Sequence, residues 1–194
     1  MSRKFIGLLL MLCCLACVKP KIRQTIPSGA YFQTMSIKFN FSDHQGKRNG
    51  RVHWRFDEQH SKILFFTPIN QVGLELDVAN ETSLLLRPGK KLYWRGNFSY
   101  LLNRLWGIDL TLEELKQLLI KGLIPEAKIK EKGIVISLET YPKDHSPQIV
   151  NIRQSDAILT LKILKKDIRP GNIVLLDYDQ RFQPAELEDV LSDD

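Results

Sequence analysis

Residues 61–78 read SKILFFTPINQVGLELDV, and their pattern decides the kind of fold this chain adopts. The first arm carries Ile63, Leu64, Phe65 and Phe66. The second alternates Val72, Leu74, Leu76 and Val78 with Gly73, Glu75 and Asp77, the period-two signature of a half-buried strand. Thr67, Pro68, Ile69 and Asn70 make a tight turn between them, so the stretch predicts a β-hairpin. Hairpin turns favour Gly, Asn and other polar residues. An isoleucine at such a tip predicts contact with something apolar.

Outward from the hairpin the same period continues. Upstream, Met35, Ile37, Phe39 and Phe41 alternate with polar residues, and so do Val52, Trp54 and Phe56. Downstream, Leu84 to Leu86 and Leu92 to Trp94 flank a Pro88-Gly89 turn. Six short consecutive strands with short connections and no crossover helix predict an antiparallel meander. At Asn97 the period changes. Tyr100, Leu101, Leu102, Leu105 and Trp106 fit one side of a short helix closed by Gly107, where Trp106 reads as a helix-end anchor. A second helix starts at Thr111, with Glu114 completing a capping box and Leu112, Leu115, Leu118 and Leu119 forming its apolar stripe. Gly122 and Pro125 end it.

Strand periodicity returns at Ile134 to Leu138, Val150 to Ile152 and Leu159 to Ile163. Residues 173–176 read as a last strand and 184–191 as an acidic helix or tail. The fold class is therefore mainly β (α+β): roughly nine strands interrupted by a two-helix insertion. Such a sheet cannot leave its apolar face in water, so it must curl into a barrel or half-barrel, or be covered. The two helices are a natural cover. Met35, Ile37, Phe39, Phe41, Trp54, Phe56, Leu74 and Leu76 from the sheet, with Leu115 and Leu119 from the second helix, are the candidates to line any cavity between them.

The chain has 194 residues and a formal charge of +6. Residues 1–17, MSRKFIGLLLMLCCLAC, hold all three cysteines and read as a signal segment: basic, then apolar, and too short to span a bilayer. Ala16 before Cys17 resembles the lipobox of bacterial lipoproteins, which implies a signal peptide over 1–16 and lipidation at Cys17. Acyl chains anchor through roughly 0.8 kcal/mol per buried methylene. Residues 17–28 are a basic tether, 29–169 the folded domain and 170–194 an extension of uncertain structure. Without Arg3 and Lys4 the excess of positive charge is mild and dispersed, so no nucleic-acid partner is expected.

The G-R-V-H-W-R-F run at residues 50–56, the F-T-P-I-N turn before Leu74-Glu75-Leu76, the LTLEELKQLLIKGLIP helix at 110–125 and the P-x-x-V-x-I strand from Pro147 resemble, in that order, the LolB family of outer-membrane lipoprotein receptors and the related LolA carriers. The resemblance covers residues 35–169. It implies a half-open antiparallel barrel capped by helices, whose apolar cavity takes acyl chains of lipoproteins from a LolA-like periplasmic carrier. It also implies a monomer on the periplasmic face of the outer membrane, held there through Cys17, and delivery of cargo assisted by the turn at Pro68 and Ile69. The family's Leu-Gly is Ile-Asn here.

No nucleophile elbow, phosphate loop or acid–base constellation is present, so the chain reads as a non-enzyme without cofactor. His44, His53, His60 and His145 lack metal-ligand spacing and read as solvated, and Asp177 and Asp179 as a charged turn; no metal is expected. Two alternatives stand beside the receptor reading. One is a structural or assembly lipoprotein that binds a protein partner. The other is a carrier of a different amphiphile, such as a glycolipid, on the same fold.

Overall fold

A computed structural model of the chain describes residues 30–79, 82–123, 126–143, 145–173 and 182–192. Cys17 and the expected signal peptide and tether lie outside the described residues, as do Asp177, Asp179 and all of the expected last strand but Ile173.

Six strands follow one another as a meander: β1 (Tyr31–Asp43), β2 (Gly46–Phe56), β3 (His60–Phe66), β4 (Val72–Ala79), β5 (Thr82–Arg87) and β6 (Leu92–Asn97). Helices α1 (Phe98–Trp106), α2 (Leu112–Lys121) and α3 (Glu126–Glu131) come next, then β7 (Ile134–Thr140), β8 (Pro147–Gln154) and β9 (Ala157–Pro170). A two-residue β10 (Gln183–Pro184) and a short α4 (Leu187–Leu191) complete the order. The ten strands form one sheet in the order β10-β6-β5-β4-β3-β2-β1-β9-β8-β7. Its two outermost strands do not pair with each other among the described residues, so the sheet is open. The fold is mainly β, as the alternation predicts.

β1 and β9, thirteen and fourteen residues long, form the spine. Their concave faces carry Met35, Ile37 and Phe41 against Leu159, Leu161 and Ile163, all buried. β9 carries one bulge: Ser36 faces Lys165 while Ile37 faces Ile163, so Leu164 is the extra residue. Its exposed side chain opens onto a groove described below.

The insertion holds a third helix. Residues 126–131 make one turn and a half, too short to show an amphipathic stripe. The described residues 182–192 also take regular structure. β10 pairs in parallel with the edge strand β6, and α4 buries Leu187 and Val190 against the concave core. Arg87 on β5 donates to the Val190 carbonyl at 3.0 Å and also to that of Ser192.

Candidate functional site

The caps of the two long helices follow from the sequence. The Asn97 side chain accepts from the amides of Ser99 and Tyr100, and Gly107 ends α1 in the left-handed region at φ 63°. For α2, the Thr111 hydroxyl accepts from the Glu114 amide at 3.1 Å, while the Glu114 carboxylate accepts from the Thr111 amide at 2.8 Å.

The two helices are held to the sheet differently. Lys116 of α2 donates to the Asp57 carbonyl at 3.1 Å and lies over the Phe56 ring; burial pushes its pKa below the usual lysine range. Lys166 of β9 donates to the Leu119 carbonyl near the C-terminal end of α2, where the helix dipole favours a cation. By contrast, α1 is tied to the sheet at its first turn, where the Asn97 side chain at the end of β6 accepts from the Ser99 and Tyr100 amides. Apolar and ring contacts hold it, together with the exposed Arg104–Glu188 ion pair to α4.

Beneath α1 and α2 lies a wholly apolar cavity of about 30 Å³. Ile37, Val52, Trp54, Ile63, Phe65, Leu76 and Leu161 form its sheet wall. Phe98, Leu101, Leu102, Leu105 and Trp106 of α1, with Leu115 and Leu119 of α2, form its roof. Such a volume holds about two waters. The Trp54 indole N–H in this wall is buried without a hydrogen-bond partner among the described residues.

Of the residues expected to line a cavity, Ile37, Trp54, Leu76, Leu115 and Leu119 do border this space. Met35, Phe41 and Phe56 are buried away from it in side-chain packing, and Phe39 and Leu74 lie partly buried against the core. Sequence reasoning missed the share of α1. Five of its nine residues form the roof, among them Trp106 at the helix end. Their spacing marked an apolar face but not what that face covers.

The hairpin turn closes with Asn70 donating to the Thr67 carbonyl at 2.9 Å and Thr67 to the Gln71 carbonyl at 2.8 Å. Asn70 takes the left-handed conformation, φ 63°, as asparagine tolerates. Pro68 and Ile69 project from the sheet, and Ile69 is 74% exposed, more than any other large hydrophobic residue described.

His53, expected in solvent, is partly buried, 3.3 Å from the Ser36 hydroxyl. Burial, then the neighbouring Arg55 and Arg169, push its pKa below the ordinary value of 6.5. No group of His, Cys, Asp and Glu able to hold a metal occurs among the described residues.

A family model described as "Outer membrane lipoprotein LolB" matches residues 33–163. Among solved structures, a LolA superfamily protein from Nitrosomonas europaea is similar at a TM-score of 0.47 and 8% identity, over 74% of this chain and 87% of that one. No curated protein matches the chain.

Proposed function

The chain belongs to the LolB family, and from that membership we propose that it is a lipid-anchored receptor that accepts lipoproteins by their acyl chains and inserts them into the outer membrane. The observation that carries the reading is the apolar space roofed by α1, a helix that packs on the sheet wall through apolar and ring contacts. At about 30 Å³ the cavity is far too small for an acyl chain, so admission requires α1 to lift. Apolar contacts are non-directional and can be remade with a ligand, so an entering chain replaces what α1 gives up. Each Å² of apolar surface taken from water favours this by roughly 25 cal/mol.

No reacting group is needed. Cargo moves from a LolA-like carrier to this site, and from this site to the bilayer, when each next environment binds the acyl chains better. Cys17 keeps the receptor at the periplasmic face of the outer membrane, and Ile69 beside Pro68 enters the lipid during delivery. The unpartnered Trp54 N–H is suited to an ester or amide carbonyl of the bound lipid.

One observation favours a structural or assembly role instead: the interior is nearly filled by side chains. A transfer assay separates the two. A LolA-like carrier loaded with a labelled lipoprotein is mixed with the form lacking residues 1–17. Label is expected to move to that form, and onward delivery to liposomes to drop in Ile69→Glu. No transfer, with no displacement of a bound fluorescent fatty acid, sinks the receptor reading.

A further inference from the structure

The convex face carries a feature that acyl-chain binding does not use. In the strand register Arg51 of β2 lies opposite Lys38 of β1, and Lys38 lies opposite Lys162 of β9. Three exposed cations thus form one row across three adjacent strands, spanning about 10 Å at the usual strand spacing. None of the three forms an ion pair with a described residue. Like charges directly opposite one another destabilise a sheet. Such a row gains free energy when an anionic surface covers it.

Beside the row is a groove of about 260 Å³ with Ser36, Arg51, His53, Asn70, Phe66 and Leu164 on its walls. Two local features make it. The β9 bulge supplies Leu164 on one side. The left-handed Asn70 brings the hairpin turn to the other, directly after the exposed Ile69. A guanidinium, an imidazole, a hydroxyl and an amide thus meet an aromatic and an aliphatic side chain. That mixture suits a phosphodiester and the first carbons attached to it, because the donors match its oxygens and the apolar walls match its glycerol. Burial is the main cause of the lowered His53 pKa, and the nearby Arg55 and Arg169 lower it further.

We propose that this groove and the Arg51–Lys38–Lys162 row seat the headgroup phosphates of an anionic phospholipid, so that the convex face docks on the bilayer beside the Ile69 turn. The inference rests on the reading that this turn meets the membrane, but the two are tested by different variants. Juxtamembrane basic residues contribute roughly fivefold each to binding an anionic surface.

Every described core residue lies between Met35 and Val190, so the form lacking residues 1–17 keeps the described fold. Its co-sedimentation is compared on vesicles of phosphatidylcholine alone and with added phosphatidylglycerol. Stronger binding to the anionic vesicles is expected, with a roughly 25-fold loss in K38Q/R51Q and an unchanged or raised unfolding midpoint. Soluble glycerophosphoglycerol is expected to shift the His53 ring resonances in the parent form and not in the double variant. An Ile69→Glu form that still prefers anionic vesicles supports the groove, whatever happens to its delivery of cargo. Equal binding to both vesicle types overturns the proposal, even where inorganic phosphate shifts His53. So does a double variant that keeps the lipid preference while losing affinity for an acidic carrier protein, since the row is then a protein-docking surface.

Discussion

The indole of Trp106 lies 5.6 Å from the ring of Phe39, centroid to centroid, inclined at 54°. The Phe65 ring is 6.1 Å away on the same indole, so the last residue of α1 is held between β1 and β3. Ring pairs of this kind contribute about 0.5–1.5 kcal/mol each beyond the area they bury. Trp106→Ala is expected to cost about 2–3 kcal/mol, less than a fully buried tryptophan because the residue is only partly buried. It is also expected to increase uptake of an environment-sensitive hydrophobic dye, because the indole holds this end of the helix against β1 and β3. Denaturant unfolding and dye fluorescence measure the two effects. A stability loss without greater uptake would mean that Trp106 does not gate the cavity.

Gly50 sets the position of Phe39. The two residues are opposite in register, and a Cβ at Gly50 would stand 2.7 Å from Phe39 Cε1, closer than real atoms come. The ring lies over the β2 backbone, and only glycine leaves it that room. Gly50→Ala is expected to displace Phe39 from Trp106 at a cost of about 1–3 kcal/mol and to raise dye uptake as Trp106→Ala does. Gly89→Ala meets nothing within 4 Å and is expected to change stability by less than about 0.5 kcal/mol in the same unfolding experiment.

These contacts mark where the sequence could be read and where it could not. The hairpin at 61–78, the Thr111–Glu114 box and the Asn97 and Gly107 ends of α1 depend on residues a few positions apart, so their chemistry is visible in the letters. The cavity is not local. Alternation puts Met35, Ile37, Phe39 and Phe41 on one face, but only the placement of α1 decides that Ile37 borders free space and Met35 does not. His53 failed for a similar reason. Alternation correctly puts it on the convex face, yet the bulge at Leu164, a departure from alternation, helps form the groove that partly buries it. In the acidic tail, Leu187 and Val190 show helical spacing, but five residues are too few to decide between a docked helix and a free end.

Thr111→Ala removes one half of the α2 capping box and leaves the Glu114 amide without its acceptor. The expected loss is about 1 kcal/mol in denaturant unfolding. Faster hydrogen exchange is expected at the first turn of α2. The amides near Leu119 should be unaffected, because Lys166 binds the Leu119 carbonyl independently of the cap. Fast exchange along the whole helix would show that the cap, and not the contacts with β9, decides whether α2 stays folded.

His53 predicts a pH dependence. Its folded pKa is lowered from 6.5 by burial, Arg55 and Arg169, so the native state disfavours the imidazolium. As pH falls below 6.5, the unfolded chain takes up this proton before the folded chain does. Stability contributed by the neutral ring is therefore present above 6.5 and lost on acidification through the window below it. His53→Gln is expected to flatten the loss of unfolding free energy between neutral and mildly acidic pH. An identical slope in the variant would show that His53 does not titrate differently in the two states.

Val190 tests whether the C-terminal helix belongs to the fold. It is fully buried although it sits between Asp189 and Leu191 in an acidic segment. It lies beyond the family match, which ends at residue 163. Arg87 is committed to the same place, because its guanidinium donates to the carbonyls of Val190 and Ser192. Val190→Asp puts a carboxylate where no water reaches, and the group must either drag α4 off the sheet or stay buried at a cost of several kcal/mol. Undocking is the cheaper outcome for a five-residue helix, and it would uncover the β5–β6 end of the concave face. The variant is therefore expected to lose about 3 kcal/mol or more in denaturant unfolding and to bind more hydrophobic dye, while Glu188→Gln, on an exposed ion pair with Arg104, changes neither measurably. Parent-like stability in Val190→Asp would mean that the segment contributes nothing to the folded state in solution.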